Sequence, residues 1–205
     1  MIRKFEKYRY SHVMRPFFDG LSKIGLRIAP YYEFRENVSP DFLSPCSGLG
    51  QGYEIGFWEA PEIKQMAKIP GRRFSEEELL KRLEDGHRCL GIKKDNKLAA
   101  FSWCNFRAKT FRWHRLPLND REVFLFDAFT LPEFRGRKLA PVLRYNLYRE
   151  LTKQGYTGFY SYSDFFNTPA IKFKKTLKAK KEQLNLYIVL FDKFVFHFRL
   201  KQYPQ

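Results

Sequence analysis

At 205 residues, with 44% hydrophobic and 18% aromatic content, the chain can build a substantial core, which excludes a disordered composition. Its 38 Lys+Arg against 22 Asp+Glu leave a formal charge of +16. That charge suits polyanionic partners such as nucleic acid, anionic lipid head groups, phosphorylated cofactors or an acidic carrier protein, without choosing among them.

The length suggests one domain plus a short appendage, read here as an N-terminal basic amphipathic extension over 1–36, a loop over 37–52 and a main domain over 53–205. In "HVMRPFFDGLSKIGLRI", Val13, Met14, Phe17, Phe18, Leu21, Ile24 and Ile28 recur at helical spacing. Arg15, Asp19, Lys23 and Arg27 mostly take the other face. Such a helix docks on its own core or lies at a membrane or partner surface. "NVSPDFLSPCSGLGQG" carries turn-forming residues and reads as the connecting loop.

"YEIGFW" reads as a strand, and "APEIKQMAKI" as a helix with Pro61 in its first turn and Pro70-Gly71 at its end. Ser75 and Glu78 form a capping box ahead of "EELLKRLEDG", which Gly86 closes. "RCLGIKK" and "KLAAFSWCNF" flank Asp95-Asn96 as a hairpin. "EVFLFDAFTL" is a long apolar strand, expected to be buried on both faces. Next comes a helix in which Leu139, Leu143, Leu147 and Leu151 recur every four residues, with Pro141 near its start and Gly155 at its stop. "GFYSYS" is a strand, "TPAIKFKKTL" a short helix entered from Asn167, and "EQLNLYIVLF" pairs with "FVFHFRL" across Asp192-Lys193. This order implies an α/β sheet of mixed direction.

Cys46, Cys89 and Cys104 lack metal-ligand spacing, and His12, His87, His114 and His197 are scattered, so no metal site is expected. The odd, low cysteine count suits a reducing compartment. No apolar run approaches the about 18 residues of a membrane span, and "MIRKFEKYRY" lacks a signal-peptide core. The expected location is cytoplasmic, with peripheral membrane attachment as the alternative.

Chemistry concentrates in "LPEFRGRKLA". A strand ending at Leu131, a tight basic loop and a helix aim backbone N–H groups at one point, where the helix dipole adds about half a positive charge. Gly136 permits a turn and close approach. Arg135, Arg137 and Lys138 bring fixed cations to the same place, an arrangement that suits a pyrophosphate.

The run "FDAFTLPEFRGRKLA" resembles the acyl-CoA-binding signature of the GNAT superfamily of N-acetyltransferases: a strand, a Pro-Glu-aromatic turn, then Arg/Gln-x-x-Gly-x-Gly/Ala. Arg135 matches the first position and Ala140 the last. "NTPAIKF" is similar to a second family motif, an Asn followed three residues later by Ala on a short helix. With the element order, the resemblance covers about 150 residues from Tyr53 onward. It implies a mostly antiparallel sheet with a central splayed parallel pair and helices on both faces.

The resemblance also implies roles. The backbone at Phe129, Thr130 and Leu131 is expected to bond the pantetheine arm. The amides of Arg135, Gly136, Arg137, Lys138, Leu139 and Ala140 are expected to cradle the pyrophosphate. Asn167, with Ala170 and Phe173 on the following helix, is expected beside the pantetheine or the thioester. Two positions depart from the family pattern. Lys138 stands where Gly is usual, which matters if that position needs a positive φ. Lys174 stands where a Tyr often protonates the departing thiolate; it serves as that acid or is one solvated charge in a lysine run.

Tyr160 and Tyr162 are substitutes for the acid, with Tyr162 carried forward. Asp127 interrupts an apolar strand and is the candidate base; the alternative is an Asp bonded to a neighbouring backbone or Arg group. Asp164 reads as a turn former and His114 as a surface residue.

The activity implied is acetyl transfer from acetyl-CoA (coenzyme A) to an amine by direct attack, without a metal. A longer acyl group, an acidic acyl carrier protein as donor, or a non-catalytic GNAT-like binding module at an anionic membrane or nucleic acid remain as alternatives. Nucleic acid is the least favoured partner, and a homodimer is one option for assembly.

Overall fold

A computed structural model describes residues 14–36, 49–72, 74–111 and 114–204. Val13, Cys46 and most of the expected loop therefore lie outside the described residues. The fold is mixed α/β, built on an eight-stranded mixed sheet with one parallel pair. It divides into two compact units, one of Asn37–Tyr160, the other of Met1–Glu36 with Ser161–Gln205.

In the first unit, β2 (Tyr53–Trp58), β3 (Arg88–Lys94), β4 (Lys97–Asn105) and β7 (Glu122–Thr130) pair antiparallel in that order. The β3–β4 turn is the expected Asp95-Asn96, with both residues at positive φ as a two-residue hairpin requires. Between β3 and β4 side chains alternate. Leu90, Ile92, Ala100 and Cys104 join a cluster with Leu139, Leu143, Leu147 and Leu151 of α4 (Leu139–Lys153). Cys89, Phe101 and Trp103 join another with Ile63 of α2 (Ala60–Ala67) and Leu79 of α3 (Glu76–Glu84). The alternation thus places helices on both faces of this part of the sheet.

The capping box of α3 forms as the sequence predicts: Glu78 N–H donates to Ser75 Oγ at 3.1 Å, and Ser75 N–H donates to Glu78 Oε2 at 2.9 Å. A two-stranded ribbon, β5 (Ala108–Phe111) with β6 (His114–Pro117), was not foreseen. Burial of β7 on both faces holds for Val123–Leu125 but not beyond, where the strand changes character.

The second unit departs most from expectation. The helix α1 (Met14–Lys23) ends before Gly25, and the rest of the supposed helical stretch is a strand, β1 (Leu26–Glu36). It runs antiparallel to β9 (Lys180–Leu190), from Leu26 opposite Leu190 to Arg35 opposite Lys180. Its other neighbour is β8 (Gly158–Asp164), and β10 (Phe194–Gln202) pairs with the far side of β9. The helix α5 (Thr168–Thr176) connects β8 to β9. The helical reading, which ran to Ile28, failed at Gly25, whose φ of +83 turns the chain out of α1. Leu26–Ile28 instead begin a strand whose partner lies far along the chain. Among the described residues no helix is long and apolar enough to cross a membrane.

Candidate functional site

Parallel pairing between β7 and β8 covers Glu122–Phe124 against Gly158–Tyr160, and the remaining length of β7 lies outside that register. On its other side β7 bulges. Phe101 of β4 faces Phe129 and Trp103 faces Phe126, so one residue of β4 opposes two of β7, Asp127 and Ala128. Asp127 adopts φ +47, the left-handed conformation that Asp tolerates better than most residues and that such a bulge needs.

The side chain of Asp127 is engaged by two arginines. Its Oδ1 accepts from Arg72 Nη1 at 3.0 Å, and its Oδ2 accepts from Arg72 Nη2 at 2.6 Å and Arg82 Nη1 at 2.8 Å. Both guanidinium groups lie over aromatic rings, Arg72 over Phe101 at 4.9 Å and Arg82 over Phe74 at 4.1 Å. The carboxylate is thus in the Arg-bonded arrangement that stood as its alternative reading.

Beyond the bulge, Leu131 N–H is spent on Ala99 O at 2.9 Å, so of the backbone groups expected to meet a pantetheine arm this donor is taken. Pro132–Phe134 form one tight helical turn, and Arg135 N–H donates back to Pro132 O at 3.2 Å. Arg135 and Gly136 form a turn that takes up the Arg137 N–H. The N–H groups of Gly136, Lys138, Leu139 and Ala140, by contrast, have no backbone acceptor among the described residues and lie at or just before the first turn of the 15-residue α4. Gly136 has φ +80 and Lys138 has φ +57 with ψ +22, two left-handed residues that bend the loop back to the helix. The position usually held by Gly therefore does take a positive φ, and Lys occupies it. Arg135, Gly136, Arg137 and Lys138 are exposed; Leu139 is buried in the core. Arg135 Nε reaches Thr130 O at 3.2 Å. This cradle of donors with three cations fits a diphosphate.

The second unit carries the other candidates. Asn167 caps α5, its Oδ1 accepting from Ala170 N–H at 3.0 Å, while Phe173 is half-buried one helical turn beyond. Asp164 makes the preceding turn, accepting from Phe166 N–H at 3.2 Å. Lys174 is not a solvated charge. It is 4% exposed, and its Nζ lies 2.6 Å from Glu36 Oε1, with Glu36 2% exposed and Ser161 fully buried. Lys174 also bonds Ser161 Oγ, which in turn bonds Glu36. One buried lysine, one buried carboxylate and one hydroxyl form a closed triangle.

Tyr162 packs edge-on against Tyr31 with ring centres 5.1 Å apart. Burial, then the charges of Glu33 and Tyr31, push its phenol well above the usual range, so it stays protonated. Tyr31 itself meets His197 Nε2 at 2.8 Å. Tyr160 donates to Glu122 Oε1 at 3.0 Å. His114 begins β6, and its side chain is outside the described residues. Among the described residues, no cluster of three or more His, Cys, Asp or Glu could hold a metal ion. Burial pushes the Cys104 thiol up to about 12 and Cys89 well above its normal value, so neither is poised as a nucleophile.

Sequence reasoning missed Arg72, Arg82, Glu36 and Ser161. A buried carboxylate in an apolar strand demands partners, so the existence of the arginines could have been inferred from Asp127 but not their positions.

The sequence profile of the Acetyltransferase (GNAT) family matches residues 55–177, and the chain belongs to that family. No protein of curated function matches significantly in sequence. A Drosophila protein of known structure is similar at 16% identity and TM-score 0.58, over 88% of this chain and 58% of that one. A GNAT-family protein from Novosphingobium aromaticivorans is similar at 19% identity and TM-score 0.55, over 81% and 66%. The ribosomal-protein-S18-alanine N-acetyltransferase of Escherichia coli is similar at 14% identity and TM-score 0.50, over 75% and 97%. The chain thus spans less than two thirds of the first two proteins. At these identities the likeness is one of fold.

Proposed function

We propose that the protein is an acyl-CoA-dependent N-acyltransferase that moves an acetyl group from acetyl-CoA to an amine. One observation carries this reading: the N–H groups of Gly136, Lys138, Leu139 and Ala140, without backbone acceptors among the described residues, lie at and just before a helix start beside Arg135, Arg137 and Lys138. Acetyl-CoA supplies an activated thioester, so no covalent intermediate with the protein is required. The loop holds the diphosphate through those amides and the helix dipole, with the three cations adding charge-assisted bonds.

Lys174 stands where similar sequences place a proton-donating Tyr. Its Nζ holds a proton oriented by Glu36 Oε1 and Ser161 Oγ, a fixed geometry of the kind general acids use. Tyr162, a phenol held neutral, is a second donor on the adjacent strand. Asp127, with both oxygens bound to guanidinium groups, is assigned to holding the bulge rather than to taking the amine's proton.

Calorimetric titration with acetyl-CoA, coenzyme A and a longer acyl-CoA tests the proposal, followed by thiol release over a panel of amines. Binding of acetyl-CoA with amine-dependent thiol release is the expected result. Failure to bind any of the three ligands would overturn it. Release from the longer acyl-CoA alone would replace the acetyl group.

A further inference from the structure

The second unit ends in a tip that breaks two local rules at once. The β9–β10 turn is closed by Lys193 N–H donating to Leu190 O at 3.0 Å, with Phe191 at φ +53 and Asp192 at φ +56. This is the type I′ geometry that favours Asn-Gly, and a bulky aromatic in the left-handed region is an outlier. Phe191 nevertheless occupies it, and its side chain is 71% exposed. Strain at a position where burial offers no return is a reason to look for function.

The neighbours of Phe191 are of the same kind. Its N–H donates to Gly25 O at 2.7 Å, and its ring lies over Gly25 so closely that a Cβ there would come within 2.7 Å of Phe191 Cδ1. That contact sets the tip of β9–β10 beside the turn between α1 and β1. There Ile24 is 67% exposed, and Phe194, at the start of β10, is 51% exposed. The cations Lys23 and Lys193 flank these residues and are also exposed. Asp192, the acid of the turn, is neutralised by its ion pair with Arg27. The result is an apolar tip from two adjacent turns, flanked by two exposed lysines, on a chain of net charge +16.

We propose that this tip docks into the interface of an anionic phospholipid bilayer, with Ile24, Phe191 and Phe194 entering the head-group and acyl boundary and Lys23 and Lys193 meeting the phosphates. Exposed apolar groups next to cations match that interface, where apolar burial and attraction to anionic lipid add together. A second copy of this chain is the competing occupant. It would bring two surfaces of like charge together, and strand pairing along the edge of β10, although it would engage Phe194, would leave Ile24 and Phe191 on the turns uncovered.

The full-length protein is sedimented with vesicles of phosphatidylcholine, with and without phosphatidylglycerol. Binding to the anionic vesicles alone, reduced by salt, is expected. Phe191→Asn relieves the turn strain and removes the aromatic, so it should weaken vesicle partitioning roughly 10-fold while leaving acetyl-CoA titration unchanged. Lys193→Gln should weaken it about 5-fold. The proposal is overturned if the anionic vesicles leave the protein in solution, or if neutral vesicles bind it equally. It is also overturned if Phe191→Asn binds as well as the parent, or if sedimentation velocity without lipid shows a dimer that Phe191→Asn dissociates.

Discussion

Replacing Lys138 separates two effects that the structure superimposes on one residue. Its backbone sits at φ +57 and ψ +22, where a Cβ costs an L-residue about 1–2 kcal/mol. Glycine escapes that cost but gives up about 0.4–1 kcal/mol through its freer unfolded state. Lys138→Gly should therefore stabilise the protein by about 0.5–1 kcal/mol. Lys138→Ala keeps the strained backbone and should change stability little. Both variants lose the ammonium, and a charge-assisted contact to phosphate at an exposed site is worth about 1 kcal/mol, or roughly 5-fold in affinity. Urea unfolding measures the first effect, and acetyl-CoA titration at low and high salt the second, with the gap between parent and variants shrinking as salt rises. If the Gly variant were no more stable than the Ala variant, the strain argument would fail. Equal affinity in all three proteins would show that the Lys138 ammonium does not meet the diphosphate.

Asp127→Asn can still adopt the left-handed bulge but loses both ion pairs, and should cost about 2–3 kcal/mol because the three side chains are mostly buried; an unchanged urea midpoint would show that the aromatic rings alone hold Arg72 and Arg82. Lys174→Met leaves Glu36 buried without its cation and should cost about 3–5 kcal/mol, while Lys174→Met combined with Glu36→Gln should recover most of that. If the double variant also turned over normally, Lys174 would not be the acid. His87 has its pKa lowered by burial and then by Arg82, so the folded state resists protonation. Its contribution is complete above the ordinary value of 6.5 and is lost as pH falls below it. His87→Gln should flatten the decline in urea midpoint over that acidic window, and an equally steep decline would exclude His87 as a source. Gly91→Ala should cost about 2–3 kcal/mol, because a Cβ there would meet the Trp58 ring at 1.9 Å; near-wild-type thermal melting would show that the ring can move aside.

What could be read from the sequence was local. The capping box at Ser75, the Asp95-Asn96 hairpin and the four leucines of α4 are each encoded within a few residues, and the structure repeats them. The basic loop after Leu131 was equally legible, since glycine, cations and a helix start are consecutive. What escaped was non-local. Glu36 meets Lys174 across most of the chain, and Arg72 and Arg82 reach Asp127 from a different helix-turn region. Polar pairs of this sort leave no periodic trace. The strand β1 was hidden for a related reason: its partner is distant, and Ile28, near its start, continued the helical period of α1 past Gly25.

The place of β1 also has a consequence for how the polypeptide emerges during synthesis. Residues 37–160 are contiguous and can collapse as soon as they leave the ribosome, whereas β1, made earlier, finds its β9 partner only after residues 180–190 appear. For that interval an aromatic segment, with its Tyr31-Tyr32 and Phe34, waits with its β9 side unpaired, β8 alone becoming available once residues 158–164 appear. It is the part of the nascent protein that a chaperone would be most useful in shielding.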